Sequence, residues 1–494
     1  MEQSDKKSYS KALKATTIFG GVQVFVILFQ IIKSKAVAVF LGATGMGILG
    51  LLNQAVTFIS SLTNFGLEAS AVKNISNASS SDDKDYLHKT IAVLRRLVFF
   101  TGMFGFLLCL ALSPLLSKIV FKDSNYVLGF VTVSATLLFL QLTSGQYAVI
   151  QGLRMTKLLA KVTILNAFSG LIISLPIYFL YGVDGIPASI TISAFVTYLI
   201  TLFVTKTLNI PKIPYDKEVF KEEGISMLKM GFLLSMSGLI SIGSSFLVRI
   251  YITHTGTIAD VGLYTAGFAI IEGYVGIIFA AMAKDYYPRL AMVAKNVIER
   301  NREVNQQTEI AILLLIPILT VFLLFLNLII SILYTKEFLG AVSMIQYAVL
   351  AMMLRAFSWS MGYLLLAKGD SKIFFWSELL STIYVLFLNL LGYKFFGLKG
   401  IGMAFVLIYL LHTVQIYLTT RLIYKFKLDS SLSIVFVVGT ILLLSQFLIV
   451  TQTDSWLKYS LGTGICLIGF LYSFYNLNKK TGIVDFVKSK IKKK

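Results

Sequence analysis

The sequence has few charged residues, few prolines and almost no cysteine. Of its 494 residues 14% are charged, 56% are hydrophobic and the mean hydropathy is +0.80, whereas soluble domains carry about 25% charged residues. This composition excludes a soluble enzyme, a disordered chain and a secreted disulfide scaffold. The two cysteines, Cys109 and Cys466, lie in apolar stretches, so neither a disulfide nor a metal site is predicted. The composition indicates a polytopic helical membrane protein.

Catalytic and nucleotide-binding motifs are also missing. The sequence has no G-x-x-x-x-G-K-[ST] loop to hold the phosphates of ATP. It has no cluster of His, Cys and carboxylate residues with metal-ligand spacing. The longest polar loops, predicted at residues 74–90 and 284–307, are too short for an enzyme domain. We therefore predict a transporter that lacks an ATPase motif of its own, with no catalytic residues, no metal and no cofactor.

Long apolar runs occur along the whole chain. A bilayer core of about 30 Å needs roughly 20 apolar residues per helix, and only helices or closed barrels can cross it. Runs this long exclude the roughly ten-residue alternation of barrel strands. The sequence predicts an all-α protein with fourteen spans. They start near Thr16, Met46, Ile91, Val127, Leu158, Gly185, Ser226, Val261, Ile310, Met344, Phe374, Lys399, Leu432 and Trp456.

The net charge of +20 is unevenly distributed. Most of the 44 Lys and Arg residues fall in the N-terminus, in alternate loops and in the tail of residues 479–494, and far fewer fall in the other loops. By the positive-inside rule we predict that both termini are cytoplasmic. We also predict that the tail binds anionic membrane lipids. Basic residues in such short loops do not form a groove that follows phosphates, so no nucleic acid partner is predicted.

The chain contains an internal repeat. Tyr181-Gly-Val-Asp-Gly-Ile186 and Phe396-Gly-Leu-Lys-Gly-Ile401 are short outer turns 215 residues apart, and the same offset takes Gly47 to Gly262. Six spans per copy make the two copies parallel, as in transporters whose site lies between two lobes. We predict an N-lobe in residues 1–208, a cytoplasmic linker in 209–225 and a C-lobe in 226–427. Two extra helices follow in 428–478, and a basic cytoplasmic tail in 479–494.

Arg355 lies near the centre of the tenth predicted span. A charge at that depth costs at least roughly 2.5 kcal/mol on insertion scales, so it faces either a watery cavity or a partner. Ser358 and Trp359 follow at helical spacing and are predicted to share its face. This set suits a sugar phosphate, because Arg can bind two oxygens and Trp can cover a sugar ring. The alternative is a structural ion pair with Glu272 or Glu378.

Three further cations are candidates for the same substrate site. Lys33 and Lys35 are two residues apart near the outer end of the first span, so at most one should face a cavity, and either could instead extend to the headgroups. Arg249 is the repeat counterpart of Lys35 to within one residue. Because these cations outnumber candidate acids, we predict an anionic substrate. Glu272 is the candidate for coupling to H+ or Na+, and it could equally neutralise Arg355 or Arg249.

Several segments resemble a known family. Phe19-Gly-Gly-Val-Gln23, the stretch from Lys33-Ser-Lys35 to Gly50, and Asn64-Phe-Gly-Leu-Glu68 are similar to the opening helices of Wzx-type O-antigen translocases. These are polysaccharide-repeat flippases of the multidrug/oligosaccharidyl-lipid/polysaccharide (MOP) exporter superfamily. Leu365-Leu-Ala-Lys-Gly369 and the preceding Leu354-Arg355 extend the resemblance into the second half.

The resemblance implies a two-lobed, V-shaped fold like that of MATE transporters. It also implies a substrate, undecaprenyl diphosphate that carries an oligosaccharide repeat unit, and a place in the bacterial inner membrane beside polysaccharide polymerase machinery. A cationic cavity for the diphosphate would include Arg355, Arg249, Lys35 and Lys33. Fourteen spans exceed the twelve usual in Wzx proteins, which leaves the subfamily open.

We therefore expect a flippase that works by alternating access, and two alternatives remain. The first is a cation-coupled multidrug antiporter on the same fold, which would need a cavity dominated by acids. The second is a membrane-embedded glycosyl- or acyltransferase that acts on polyprenyl lipids. It would need a polar loop bearing Asp, Glu or His at the membrane face, and no such loop stands out in the sequence.

Overall fold

The structure is a computed structural model that describes residues 2–81, 83–211, 213, 217–453 and 455–481. Part of the predicted linker and most of the predicted basic tail, from residue 482 onward, lie outside the described residues. The described residues contain no β-strand. They form the helices α1 Glu2–Thr63, α2 Leu67–Ser80, α3 Lys84–Phe121, α4 Val127–Gly152, α5 Thr156–Tyr181, α6 Ile186–Lys206, α7 Lys217–Thr255, α8 Ile258–Phe268, α9 Gly276–Val293, α10 Val297–Leu324, α11 Leu326–Leu333, α12 Val342–Lys368, α13 Ser371–Tyr424, α14 Ser430–Gln452 and α15 Ser455–Thr481.

Among the described residues, ten helical stretches are long and apolar enough to cross a membrane. Three of these stretches have 43, 51 and 54 residues, about twice the length that one crossing needs. Each contains a glycine with positive φ, at Gly42, Gly182 and Gly397. Counting each broken stretch as two crossings, and adding the 39-residue α7, gives the fourteen spans predicted from hydropathy. The all-helical, polytopic fold class is confirmed.

The two turns that define the internal repeat have the same backbone conformation. Gly182 has φ 55° and ψ −134°, and Gly397 has φ 59° and ψ −142°. Residues with a Cβ are strained at such angles, whereas glycine is not. Three residues further on, a Cβ at Gly400 would lie 1.8 Å from a backbone oxygen of the preceding helical segment, and one at Gly185 would lie 3.0 Å from a backbone oxygen. Both copies therefore build this turn from the same pair of glycines.

The chain divides into two compact units. Unit 1 comprises Met1–Gly262 and Leu333–Thr335, and unit 2 comprises Leu263–Ile332 and Lys336–Lys494. In unit 1, α3 packs mainly on α4, α1 on α5, and α7 on α1, α2 and α3. The repeat makes α7 the first helix of the second copy, whereas its packing is with the helices of the first. The predicted lobes, which rest on the repeat, stay a prediction.

Glycines allow helices of unit 1 to cross at short range. A Cβ on Gly47 would lie 2.0 Å from a backbone oxygen of α8, and one on its repeat counterpart Gly262 would lie 1.9 Å from a backbone oxygen of α1. Gly66 and Gly231 form a similar crossing, with such contacts at 2.1 and 2.2 Å. Small residues commonly let helix backbones approach closely in membranes. Gly47 and Gly262 are therefore required for packing, which explains their place in the repeat.

Two stretches predicted as long polar loops are largely helical. Residues 74–90 are interrupted only between α2 and α3, and residues 284–307 only between α9 and α10. The Asp83 side chain accepts a hydrogen bond from the backbone N–H of Tyr86 at 3.0 Å, and Asn296 caps the start of α10. These are ordinary N-caps. The loop prediction was wrong because hydropathy detects only the apolar part of a helix that continues beyond the bilayer.

Helices α14 and α15, which lie outside the predicted repeat, pack against α10 in unit 2. The side-chain oxygen of Asn305 accepts a hydrogen bond from the backbone N–H of Asp429 at 2.9 Å. Glu309 accepts one from the Ser431 hydroxyl at 2.9 Å and forms an ion pair with Lys480. These contacts fix the two extra helices to unit 2 through polar groups as well as through apolar packing.

Candidate functional site

Unit 1 contains a polar cavity with Lys33 in its wall. The cavity has a volume of about 530 Å³ and lies among α1, α4, α5 and α6. No Asp or Glu occurs among the lining residues that the structure describes. The polar lining consists largely of amide and hydroxyl side chains, among them Gln30, Asn53, Asn166, Ser193 and Thr197. The cavity therefore carries a positive charge and neutral hydrogen-bonding groups.

Three polar atoms of residues that line this cavity are buried and lack a hydrogen-bond partner. They are the side-chain oxygen of Asn166 and the hydroxyls of Ser189 and Ser193. The Asn166 amide nitrogen donates to the hydroxyls of Tyr147 at 3.0 Å and Thr201 at 3.1 Å, which holds the amide in place. Buried polar atoms in native proteins nearly always have a partner. These three atoms are therefore suited to bind hydroxyl groups of a ligand.

Lys35 and Arg249 make local contacts elsewhere in unit 1. Lys35 donates a hydrogen bond to the backbone oxygen of Tyr334 and is not among the residues that line the Lys33 cavity. Arg249, on α7, donates to the backbone oxygen of Ser245 at 3.1 Å and to its hydroxyl at 2.6 Å. Two lysines spaced by two residues thus have different environments, as helical geometry requires. The substrate-binding roles of Lys35 and Arg249 stay predictions.

In unit 2, Arg355 on α12 forms an ion pair with Glu272. The two terminal guanidinium nitrogens donate to the two carboxylate oxygens at 2.6 and 2.9 Å, which is the bidentate geometry of a strong pair. The side chains are 19% and 41% exposed, respectively, so the pair can be reached by a competing ion. Glu272 lies in a π-helical segment, Ala269–Val275, between α8 and α9. Such segments are frequent at functional sites.

Aromatic rings surround the guanidinium group of Arg355. Its central carbon lies 5.1 Å from the ring centre of Phe279 and 5.7 Å from that of Tyr409, within the range of cation–π attraction. The indole of Trp359 packs against Phe279 and Tyr363, with ring centres 5.5 and 5.1 Å apart. Trp359 therefore reaches Arg355 through a shared aromatic neighbour and belongs to the same cluster.

The prediction that Ser358 shares the exposed face of Arg355 is wrong. Ser358 is fully buried, and its hydroxyl donates to the backbone oxygen of Arg355 at 3.3 Å. At about 100° per residue, Ser358 and Trp359 lie on opposite sides of Arg355 around the axis of α12, and the side of Ser358 is the packed one. Sequence reasoning also missed Phe279 and Tyr409. In an apolar span, the sequence does not show whether an aromatic ring lies beside a cation or faces the lipid.

The broken helices, the matched glycine turns and the charged groups within apolar helices define a class, the polytopic membrane transporters. The chain shares its fold with a structure described as "Lipid II flippase MurJ, inward closed conformation", with a TM-score of 0.74 and 11% identity over 95% of this chain and 99% of that chain. A multidrug resistance MATE family transporter of the MOP superfamily, inward-facing, has a TM-score of 0.69 and 14% identity over 85% and 98%. At such identities the likeness shows the fold.

The profile of a family described as "Polysaccharide biosynthesis protein" matches residues 36–343. Because this match covers more than half of the sequence, the chain belongs to that family of polysaccharide biosynthesis proteins. No curated protein sequence matches it significantly. The resemblance to polysaccharide flippases of the MOP superfamily is thus confirmed at the level of family and fold. Family and fold together support a lipid-linked flippase or another MOP transporter.

Proposed function

We propose that the protein moves undecaprenyl diphosphate bearing an oligosaccharide repeat unit across the bacterial cytoplasmic membrane by alternating access. The observation that carries this proposal is the cavity of unit 1, where Lys33 lies among amide and hydroxyl groups without a carboxylate among the described lining residues. A diphosphate needs a cation, and a glycan needs amide and hydroxyl partners. Family membership and the fold shared with a lipid II flippase support the same substrate class.

Each candidate residue has a distinct role in this proposal. Lys33 in unit 1 and Arg355 in unit 2 each bind phosphate oxygens during the transport cycle. Lys35 and Arg249 add to the positive field in unit 1, and Trp359 provides an apolar ring face for a sugar. The polyprenyl tail stays in the lipid, which removes the need for a large apolar cavity.

Glu272 gives the cycle its dependence on an ion gradient. Its two oxygens occupy the donor positions of Arg355 that two phosphate oxygens would take. A proton or a sodium ion on Glu272 weakens this pair and makes Arg355 available to phosphate. When the ion leaves, the carboxylate returns to Arg355 and displaces the substrate, so the ion and the headgroup cross the membrane in the same direction. Affinity then differs between the two states, which directional transport requires.

A cation-coupled multidrug antiporter is the second candidate function. The fold shared with MATE transporters and the partly exposed carboxylate of Glu272 favour it. The Lys33 cavity opposes it, because a positive wall repels cationic drugs. The two functions predict opposite roles for Lys33, since the flippase needs its charge and the antiporter does not.

Transport by full-length protein in proteoliposomes distinguishes the two functions. The first assay follows translocation of the headgroup of a fluorescent polyprenyl-diphosphate oligosaccharide, and the second follows efflux of a cationic dye. We expect Lys33→Ala to slow translocation at least about tenfold, the equivalent of 1.4 kcal/mol. The matched control is Lys157→Ala, an exposed lysine at the start of α5 that does not line the cavity. Equal translocation by both variants, or dye efflux in its place, contradicts the proposal.

A further inference from the structure

A second cavity in unit 1 carries basic side chains and has no part in the proposed transport. Its volume is about 980 Å³, and it lies among α3, α4, the end of α6, the linker and the start of α7. Arg95, Arg96 and Lys206 line it, and the described lining residues include no Asp or Glu. The cavity is thus strongly positive and lies at the end of the unit that carries the linker.

Exposed aromatic side chains lie next to these cations. Phe99 and Phe100 follow Arg95 and Arg96 by one helical turn on α3 and are 45% and 60% exposed. On α6, the ammonium group of Lys206 lies 5.3 Å from the ring centre of an exposed phenylalanine one turn earlier. Apolar rings beside cations near the end of a helix are typical of the boundary between hydrocarbon and headgroups. A phospholipid has the same division into charged and apolar parts.

One buried polar group in the cavity lacks a partner. Gln146 on α4 is only 9% exposed, and its side-chain oxygen accepts no hydrogen bond. A buried acceptor without a donor is costly, so it marks a place where a ligand donor would fit. A phosphate diester alone cannot donate a hydrogen bond. A headgroup that combines a phosphate with a hydroxyl, such as that of phosphatidylglycerol, supplies both the anion and the donor.

We propose that this cavity binds an anionic phospholipid with a hydroxyl-bearing headgroup, taken from the membrane leaflet on the linker side. Arg95 and Lys206 bind the phosphate, Gln146 accepts a hydrogen bond from the headgroup hydroxyl, and the acyl chains pack over Phe99 and Phe100. Basic pockets between helices bind anionic headgroups on this principle. The substrate of transport occupies other residues, so the proposal does not depend on the proposed function.

The bound lipid also contacts the segment that joins α6 to α7. Asn209 and Ile210 precede the linker residues that lie outside the described part of the chain, and Phe220 follows them in α7; all three line the cavity. A lipid that contacts these residues restrains the connection between α6 and α7. We therefore expect bound phosphatidylglycerol to raise the thermal unfolding midpoint of the protein, and phosphatidylcholine to leave it unchanged.

Native mass spectrometry of the full-length protein in detergent tests the proposal, with phosphatidylglycerol, phosphatidylcholine or inorganic phosphate added separately. We expect retention of phosphatidylglycerol alone, and an at least tenfold weaker retention in Arg95→Ala/Lys206→Ala. The matched control is Lys157→Ala/Lys161→Ala, which removes two exposed charges from α5 outside the cavity and should bind like wild type. Phosphatidylmethanol, an anionic phosphate diester without a headgroup hydroxyl, is added as a further ligand, and Gln146→Leu should lose the preference for phosphatidylglycerol over it.

Four outcomes overturn the proposal. They are equal retention by the Arg95/Lys206 variant and wild type, equal binding of phosphatidylcholine, binding of inorganic phosphate as tight as that of the lipid, and unchanged headgroup preference in Gln146→Leu. If the double alanine variant fails to fold, Arg95→Lys/Lys206→Arg replaces it. This variant keeps both charges and must retain the lipid, and loss of the lipid from a folded protein would refute the charge-based site.

Discussion

The cations of the two units differ in what surrounds them. Lys33 shares its cavity with amide and hydroxyl groups and with no carboxylate among the described lining residues. Arg355 is bound by Glu272 through two hydrogen bonds and lies beside two aromatic rings. A cation in a membrane interior is costly unless water, a ligand or a counter-ion stabilises it. Under the proposed function, Lys33 can therefore bind an anion directly, whereas Arg355 can do so only when Glu272 leaves.

Charge reversal at Lys33 should have the largest effect. Lys33→Glu places an anion in the cavity where a diphosphate must bind, and like charges at close range cost several kcal/mol. We expect headgroup translocation to fall by about 100-fold or more, which corresponds to about 2.7 kcal/mol. Lys33→Arg, which keeps the charge, is the control and should retain most of the rate in the proteoliposome assay. If the Lys33→Glu variant translocates the headgroup as fast as wild type, the cavity is not an anion site.

Removal of Arg355 should have an intermediate effect on both transport and stability. Arg355→Ala removes a phosphate ligand and leaves Glu272 without its partner, so we expect about a tenfold slower translocation. Because Glu272 is partly exposed, the loss in the free energy of unfolding should be only about 1–2 kcal/mol. Thermal unfolding in detergent measures it.

The double variant Arg355→Ala/Glu272→Ala checks this explanation. It removes both charges, so it should be more stable than Arg355→Ala alone, and a double-mutant cycle gives the coupling between the two residues. A coupling close to zero would show that the pair contributes nothing to stability. Translocation by Arg355→Ala at the rate of wild type would remove Arg355 from the substrate site.

Neutralisation of Glu272 should have the smallest effect on the rate and the clearest effect on coupling. Glu272→Gln keeps the shape of the side chain and leaves Arg355 permanently available. Without a gradient, we expect the translocation rate to change only a few-fold, because an exposed ion pair contributes little free energy. We expect the rate to show no response to an imposed proton or sodium gradient. Glu299→Gln, at an exposed residue of α10, is the matched control and should keep the response. If translocation by Glu272→Gln still responds to the imposed gradient, another group couples transport to the ion.

The sequence predicts the fold well because apolar length and glycine turns are local signals. The fourteen crossings follow from hydropathy, and the turns at Gly182 and Gly397 follow from two similar hexapeptides. The separate environments of Lys33 and Lys35 follow from their spacing on one helix. Each of these inferences needs only residues that are close in the chain, or a fixed offset between two copies.

The site is harder to predict because it depends on how each helix is rotated about its axis. Glu272 and Glu378 were both open as partners of Arg355, and only the structure identifies Glu272, which lies 83 residues away in the sequence. Asn166 and Ser193 gave no signal, since such residues commonly bond neighbouring helices in membranes. Hydropathy predicts loops at the polar ends of α3 and α10 because these ends lie beyond the apolar runs.

A π-helical segment, Ala269–Val275, joins α8 to α9. The number of residues in its wide turn sets the direction in which the side chains around it point. A wider turn holds an additional residue, and each residue of an α-helix advances the chain by about 100° around the axis. Deleting a single position here would therefore swing Glu272 or Phe279 away from the guanidinium of Arg355, although no contacting side chain had changed. The number of residues in this segment therefore determines the geometry around Arg355, and a scan that only replaces side chains would not detect this.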